Sequence, residues 1–506
     1  MKKSNNKLIF STLVFFLLFG FLACSKDTSP DEEVVVVIPK TLTASLTNID
    51  FEKEASSFDV SINTTADSWT LNSSATGWIT FSKTSGLKGS STVKISVAEN
   101  TETTKRTATI TISANSVTPF KITIIQKETE VAIGDLYPNY NTNPIAADAT
   151  NMSSTSTEIA SKINLGWNLG NTLEASGSET AWGNPKATKA LIDAVKLNGF
   201  NAVRIPCSWN QYLSNSAKAE IKTEWLNRVK EVVKYCTDND MYVILNIHWD
   251  GGWLENNITE AKKDEVNAKQ KAFWEQIATH LRDFDEHLLF ASANEPAVDD
   301  VAGMIVLNSY HQTFIDAVRA TGGKNAYRTL VVQGPTTDIE KTTNLMTTLP
   351  TDIVENRMMV EVHYYTPWQF AGLTEDASWG KMAYFWGKDY HSIIDTERNA
   401  TLGEETALDT YFASMKTKFV DKGIPVVLGE FGAIRRTTLT GDALALHLNS
   451  RAFYLKYVVK QAKANGLLPF YWDEGSITNH GFGIFKRADN TVFDQKVLDA
   501  LIEGLN

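Results

Sequence analysis

Eight short apolar runs recur through the C-terminal part of this 506-residue chain, and stretches of helical periodicity lie between them. The runs are 163–169 (INLGWNL), 201–206 (NAVRIP), 241–248 (MYVILNIH), 287–294 (HLLFASAN), 328–333 (RTLVVQ), 358–364 (MMVEVHY), 425–430 (PVVLGE) and 467–472 (LLPFYW). Amphipathic helical stretches read at 186–198, 224–238, 262–284, 302–320, 405–421 and 446–464. Strands that alternate with helices run parallel, because each helix carries the chain back to the same end of the sheet. Eight such units over residues 156–506 predict a closed (β/α)8 barrel. The stretch 365–404 postpones the next helix, so a long aromatic loop follows the sixth strand.

Upstream the pattern changes. Phe58, Val60 and Ile62 alternate with polar residues, as do Val93, Ile95 and Val97, then Ala108, Ile110 and Ile112, then Phe120, Ile122 and Ile124. Period-two alternation in short runs between Ser/Thr/Gly/Asn clusters predicts a small antiparallel β-sandwich over 41–128. The stretch "GWITFSKTSGLKGSSTVKISVAENTETTKRTATITISA" and the closing "ITIIQKE" resemble a BACON domain, an Ig-like module of exported bacterial glycan-degrading proteins. That resemblance implies a glycan-binding or spacer role. Trp69 and Trp78 read as core tryptophans of the sandwich, with sugar platforms as the other use. Residues 129–155, rich in Asn, Thr, Ala and Pro, read as a linker.

The N-terminus reads as an export signal. Met1-Lys2-Lys3 supplies positive charge and "LIFSTLVFFLLFGFLA" supplies the apolar core of a signal peptide over 1–23. "GFLAC" resembles a bacterial lipobox, which implies lipidation at Cys24 and a tether over 24–40; cleavage by ordinary signal peptidase after Ala23 is the other reading. The expected location is the outer membrane, facing outward through a lipid anchor. Cys207 and Cys236 read as small buried thiols, since a lone pair is no disulfide framework. The formal net charge of -11 excludes the basic face that a nucleic-acid partner requires. An acidic surface suits a neutral ligand, and 13 tryptophans offer stacking platforms.

Barrel sites lie at the C-terminal ends of the strands. In turn these ends carry Asn168 and Asn171, Arg204, His248 and Trp249, Asn294 and Glu295, His363 with Tyr364 and Tyr365, Glu430, and Trp472 with Asp473. Two carboxylates facing each other across a barrel mouth suit glycoside hydrolysis, where one protonates the leaving oxygen and the other attacks the anomeric carbon.

"GWNLGNTLEA", "AVRIPCSW", "NIHWDGGW", "ANEP", "VHYYTP", "LGEFG" and "FYWDEG" stand in the order and strand positions of glycoside hydrolase family 5, which the chain resembles over 155–506. The opening and closing motifs are similar to its β-1,4-glucan subfamily, including xyloglucan-acting members. The resemblance implies a retaining endo-β-1,4-glucanase, with Glu295 as acid/base and Glu430 as nucleophile. It implies that Asn294 holds the sugar 2-hydroxyl, that Arg204 keeps the nucleophile ionised, and that His363 and Tyr365 orient the two glutamates. It places His248 and Trp472 at the sugar next to the cut bond, with Asn171 nearby. No metal and no organic cofactor is implied, and a monomer is expected.

Relatives often carry a second histidine where this chain has Trp249, which alters the subsites beside it. Trp182, Trp249, Trp253 and Trp368 are cleft-lining candidates, and Trp379, Tyr384, Phe385 and Trp386 read as further aromatic walls for a branched glucan. Asp473 and Glu474 read as loop carboxylates without a catalytic part. Two other functions fit the same pattern: an endo-β-mannanase with the same chemistry, and a non-catalytic surface glycan-binding lipoprotein.

Overall fold

The computed structural model describes residues 39–102, 104–128 and 136–506. The signal segment, Cys24 and the tether up to residue 38 lie outside the described residues. The chain divides into two units, Met1–Glu130 and Val131–Asn506.

The first unit is a seven-stranded sheet network. Its longest strand, Ser56–Ser73, buries Val60, Ile62, Thr64 and Ala66 and exposes the residues between them. It pairs antiparallel with Ser85–Val97 and, through its last residues, with Arg106–Ala114. Ile62, Val93, Ile95, Ile110, Ile112, Ile122 and Ile124 form a core closed to solvent. Trp69 is buried in it, over Gly86, where an added Cβ would sit 2.6 Å from the indole. Two expectations are corrected. Phe58 lies outside the core, 44% exposed, although it keeps the alternation. The sheet is also not wholly antiparallel, because Asn48–Phe51 runs parallel to Phe120–Gln126.

The second unit holds the expected barrel. Its eight parallel strands are Gly166–Leu169, Ala202–Ile205, Tyr242–Asn246, Leu288–Ala291, Leu330–Gln333, Met358–Tyr364, Val426–Phe431 and Leu467–Asp473. Alternate residues point inward. Val203, Ile205, Val243 and Leu245 face the surrounding helices. Ala202, Ile244, Leu289, Val331, Met359, Val427, Leu468 and Phe470 fill the lower interior, with Ile159 and Ile163 from and just after the helix Ser156–Lys162 packed among them. Gly166 must lack a side chain, since its Cβ would lie 2.1 Å from the Phe470 ring.

The third and fourth strands end earlier than expected, at Asn246 and Ala291. His248, Asn294 and Glu295 therefore stand in loops just above the barrel. After the fourth strand, side chains replace the missing ladder acceptors, whereas the His248 N–H donates to the Cys207 carbonyl (2.9 Å). The Ala293 N–H donates to Gln333 Oε1 (2.8 Å) and the Glu295 N–H to Glu255 Oε1 (2.9 Å). Buried backbone donors need such partners once a ladder stops. The stretch 136–155 is fastened to the barrel unit: Ile145–Ala147 pairs with Gly322–Gly323, and the Tyr140 N–H donates to Glu275 (2.8 Å).

Candidate active site

Arg204 organises the barrel mouth. It is fully buried, which a guanidinium tolerates only when paired and hydrogen-bonded. Its Nε ion-pairs with Glu361 Oε1 at 2.8 Å. Nη1 donates to Glu430 Oε1 (2.8 Å) and to Asn168 Oδ1 (3.0 Å), and Nη2 donates to Asn294 Oδ1 (2.8 Å). One cation thus ties together groups from four other parts of the rim. Gly429 leaves room for this layer, because a Cβ there would lie 2.0 Å from Glu361 Oε1.

Glu430 accepts a second hydrogen bond on Oε2 from the Tyr365 hydroxyl (3.0 Å). His363 reaches Glu295 Oε1 through Nδ1 at 2.8 Å and lies 3.8 Å from Glu430 Oε2. Donor atoms of Glu295, His363 and Glu430 all fall within 4.8 Å of one another. Glu295 alone of these turns toward solvent, its side chain 43% exposed. Burial pushes the Glu430 carboxyl up, against the pull of His363 and Arg204. Burial also raises Glu295, but the hydrogen bond and charge of His363, with Arg204, bring it below the ordinary carboxylate range. His363 itself is pushed up to about 9: burial opposes its charge, and Glu430, Glu295 and Glu361 overcome burial. The three groups together make an acid–base set.

The other expected residues fall into two groups. His248 is buried, held neutral by burial and by the Arg204 and His363 charges, and lies parallel to Trp472 with ring centroids 6.0 Å apart. Trp182, Trp249 and Trp368 are each nearly half exposed, and Trp368 packs edge-on to Tyr365. Trp253 instead packs on Phe273 and donates to Asp250 (3.2 Å). In the long loop after the sixth strand, Trp379 is exposed, but Phe385 and Trp386 are fully buried, Trp386 against the helix Gly441–Ala464, and are not cleft walls. Asn171 sits in the turn after the first strand, its N–H bonded to Glu174 and its carbonyl accepting from Asn184; Asn168, three residues earlier, is the one that reaches Arg204. Asp473 takes the Trp167 indole N–H (3.0 Å) and the Ile484 N–H (3.0 Å), and so ties the last loop to the barrel.

Three participants escaped sequence reasoning. Glu361 stands two residues before His363 on one strand, so the period of two places both on the inward face; that signal was available. Gln333 donates from Nε2 to Glu361 Oε2 (2.6 Å) and is the last inward residue of its strand. Glu255 lies in a loop with no periodic signal. Its carboxyl is raised to about 7 by burial and by Glu295 nearby, and it also receives the Asn294 amide.

A protein-family model described as "Cellulase (glycosyl hydrolase family 5)" matches residues 168–476, and a BACON model, a putative N-terminal binding domain, matches 57–127. The chain is 35% identical to a xyloglucan-specific endo-β-1,4-glucanase of Bacteroides ovatus, over 98% of this chain and 96% of that one. It superposes on a solved Bacteroides ovatus xyloglucanase in complex with a XXXG heptasaccharide with a TM-score of 0.67, at 34% identity, covering 92% of this chain and 100% of the other. A broad-specificity endoglucanase from Bacteroides salanitronis matches with a TM-score of 0.63 at 36% identity, covering 72% and 98%.

Proposed function

Since the chain belongs to glycosyl hydrolase family 5 and is a glycoside hydrolase of the endoglucanase kind, we propose that it cuts β-1,4-glucan with retention, in two displacements at Glu430. The observation that carries this reading is the approach of Glu295 and Glu430 to within 4.8 Å across the mouth. Retaining enzymes set their two carboxyls about 5–5.5 Å apart, whereas inverting ones leave about 6.5–9.5 Å for a water.

In the first step a Glu430 oxygen attacks the anomeric carbon while Glu295 delivers a proton to the departing oxygen. Arg204 and Tyr365 aim the attacking carboxylate and favour its charged form. Asn294, fixed by Arg204, offers its amide to the sugar 2-hydroxyl, where contact strengthens toward the transition state. In the second step Glu295 takes a proton from water, and the water opens the ester. Trp472 and His248 form the floor and wall for the reacting sugar, since an aromatic face suits the apolar face of a pyranose.

Replacing Glu430 by Ala removes the nucleophile and should lower turnover by at least roughly 10^4-fold. Incubation with an activated 2-fluoro-cellobioside should leave a glycosyl ester on the Glu430 peptide by mass spectrometry. Retained turnover in the variant, or label on another residue, overturns the assignment.

For the substrate, the Bacteroides ovatus relatives support xyloglucan, and the exposed Trp182, Trp249 and Trp368 offer width for a branched chain. The broad-specificity relative supports a second reading in which plain and mixed-linkage β-1,4-glucans are cut as well. Reducing-end release from xyloglucan, carboxymethyl-cellulose, barley glucan and galactomannan separates the two. Galactomannan as the best substrate would overturn both. The "GFLAC" segment supports export and anchoring through Cys24; radiolabelled palmitate incorporation that persists in Cys24→Ala would overturn that. For the N-terminal sheet we favour a spacer role. Trp69 is buried, and the Arg106 guanidinium covers the Trp78 ring at 4.3 Å, where a sugar would stack. Retention of this unit on insoluble glucan would overturn it.

A further inference from the structure

His363 meets a carboxylate oxygen at each ring nitrogen: Nδ1 faces Glu295 Oε1 at 2.8 Å and Nε2 faces Glu361 Oε1 at 3.2 Å. Glu361 has no exposed surface. It is already compensated, with Arg204 Nε in an ion pair 2.8 Å from Oε1 and Gln333 Nε2–H donating to Oε2 at 2.6 Å. A carboxyl so compensated is ionised, and Nε2 of His363 must therefore carry a hydrogen. The remaining proton lies between Nδ1 and Glu295.

We propose that the proton handed to the leaving group rests on His363 rather than on Glu295, and that Glu361 is the positioning residue that keeps it there. The proposal deepens the two-step reading above and rests on it. In the first displacement the Nδ1–H bond breaks and the proton joins Glu295 Oε1. The Glu295 carboxyl, neutral for that moment, turns about its Cγ–Cδ bond and passes that same proton to the glycosidic oxygen as the C–O bond breaks. Glu430 supplies the electron pair for the new ester. His363 ends neutral, still donating Nε2–H to Glu361, and Glu295 ends as a carboxylate. It is then in the charge state needed to take a proton from water, and that proton returns to Nδ1 as the ester opens. The same charge distribution explains why Glu295, an acid in the first step, lies below the ordinary carboxylate range while His363 lies well above its own.

The charged and titratable groups facing His363 are Glu361 from its own strand, Glu295 above the fourth strand, Glu430 from the seventh, Arg204 from the second and neutral His248 above the third. Three carboxylates against one guanidinium leave room for one more cation.

Two measurements test this on the full chain. In protein labelled with 15N in histidine, His363 (assigned by its loss in His363→Asn) should show both ring nitrogens protonated at pH 6. A singly protonated ring there overturns the proposal. In Glu361→Gln, hydrolysis of polymeric glucan should fall roughly 10^2-fold, the loss expected when acid assistance is impaired. The alkaline limb of kcat/KM should move at least one pH unit lower. Cleavage of 2,4-dinitrophenyl cellobioside, whose phenolate leaves without a proton, should fall less than fivefold. Equal losses on both substrates with an unmoved limb would mark Glu361 as merely structural. Trapping of the Glu430 ester is independent of all three readouts, so the two-step mechanism and the proton store can fail separately.

Discussion

The two units use the same period-two rule and reach opposite interiors. In the N-terminal sheet the inward positions are mostly apolar: Val60 and Ile62, Val93 and Ile95, Ile110 and Ile112, Ile122 and Ile124, with Thr64 and Gln126 as buried polar exceptions. In the barrel they change character as the strand rises. Ala202 gives way to Arg204, Ile244 to Asn246, Val331 to Gln333, and Met359 to Glu361 and then His363. The barrel interior uses an apolar lower layer to support a charged upper one, which survives burial because each charge is paired. A closed barrel makes this possible: strands from every side bring partners to one axis, whereas an open sheet buries side chains against a single opposing layer.

Arg204→Ala would break the charged layer most severely. It leaves Glu361 and Glu430 buried without their cation. Loss of one partner of a buried pair costs about 3–5 kcal/mol, and turnover should fall by at least roughly 10^3-fold. Urea unfolding and glucan hydrolysis measure the two effects. A variant as stable as the parent would mean that the upper layer is not charge-balanced by Arg204.

Ile110→Ala attacks the other interior. Removing a fully buried isoleucine costs about 2–5 kcal/mol. The loss should appear in the transition of the N-terminal unit, with kcat/KM on soluble oligosaccharides unchanged within twofold. A parallel fall in activity would show that the apolar sheet does more than hold itself together.

Glu174→Gln sharpens the contrast through pH. Burial raises the Glu174 carboxyl to about 7, although it receives the Asn171 and Thr172 amides. A carboxyl whose folded pKa is raised holds a proton that the unfolded chain has lost. Its stabilising effect is therefore full below the unfolded value near 4.5 and is lost as pH rises toward 7. The stability gap between wild type and variant should shift against the wild type by roughly 3 kcal/mol from pH 4.5 to pH 8, the equivalent of that raise. Urea unfolding across pH reads it. In the N-terminal unit the exposed Asp67 carboxyl is shifted the other way, lowered by Lys40. A flat gap would remove the idea that buried neutral carboxyls fasten the rim.

Much of this was legible in the residues because the barrel repeats one signal eight times, and apolar runs ending on Arg204, Glu295, His363 or Glu430 mark strand ends by contradiction. What was not legible depended on three-dimensional contact. Phe385 and Trp386 looked like cleft walls, but they pack beneath the loop, because aromatic content says nothing about which way a loop folds. Asn168 and Asn171 were equivalent in the motif, and only the strand's inward face distinguishes them. Glu255 became visible only when its carboxyl met the Glu295 amide. The strand end at 294 was overrun because Gln333 and Glu255 replace backbone acceptors, an exchange that leaves no trace in local periodicity.

The finest test compares two tryptophans. Trp69 is closed to solvent inside the sheet, and Trp249 is 43% exposed beside His248 at the barrel mouth. Trp69→Ala should cost about 3–5 kcal/mol of stability in its unit and leave KM alone. Trp249→Ala removes an exposed ring, so its stability should change by less than about 0.5 kcal/mol. If Trp249 stacks on a sugar away from the cut bond, it binds ground state and transition state alike, and KM should rise roughly three- to tenfold with kcat unchanged. That rise corresponds to about 1 kcal/mol of aromatic contact. Initial rates on xyloglucan oligosaccharides, set beside thermal melts of both variants, decide it. A fall in kcat for Trp249→Ala would move the ring to the reacting sugar itself, and an unchanged KM would leave it a surface residue with no part in binding.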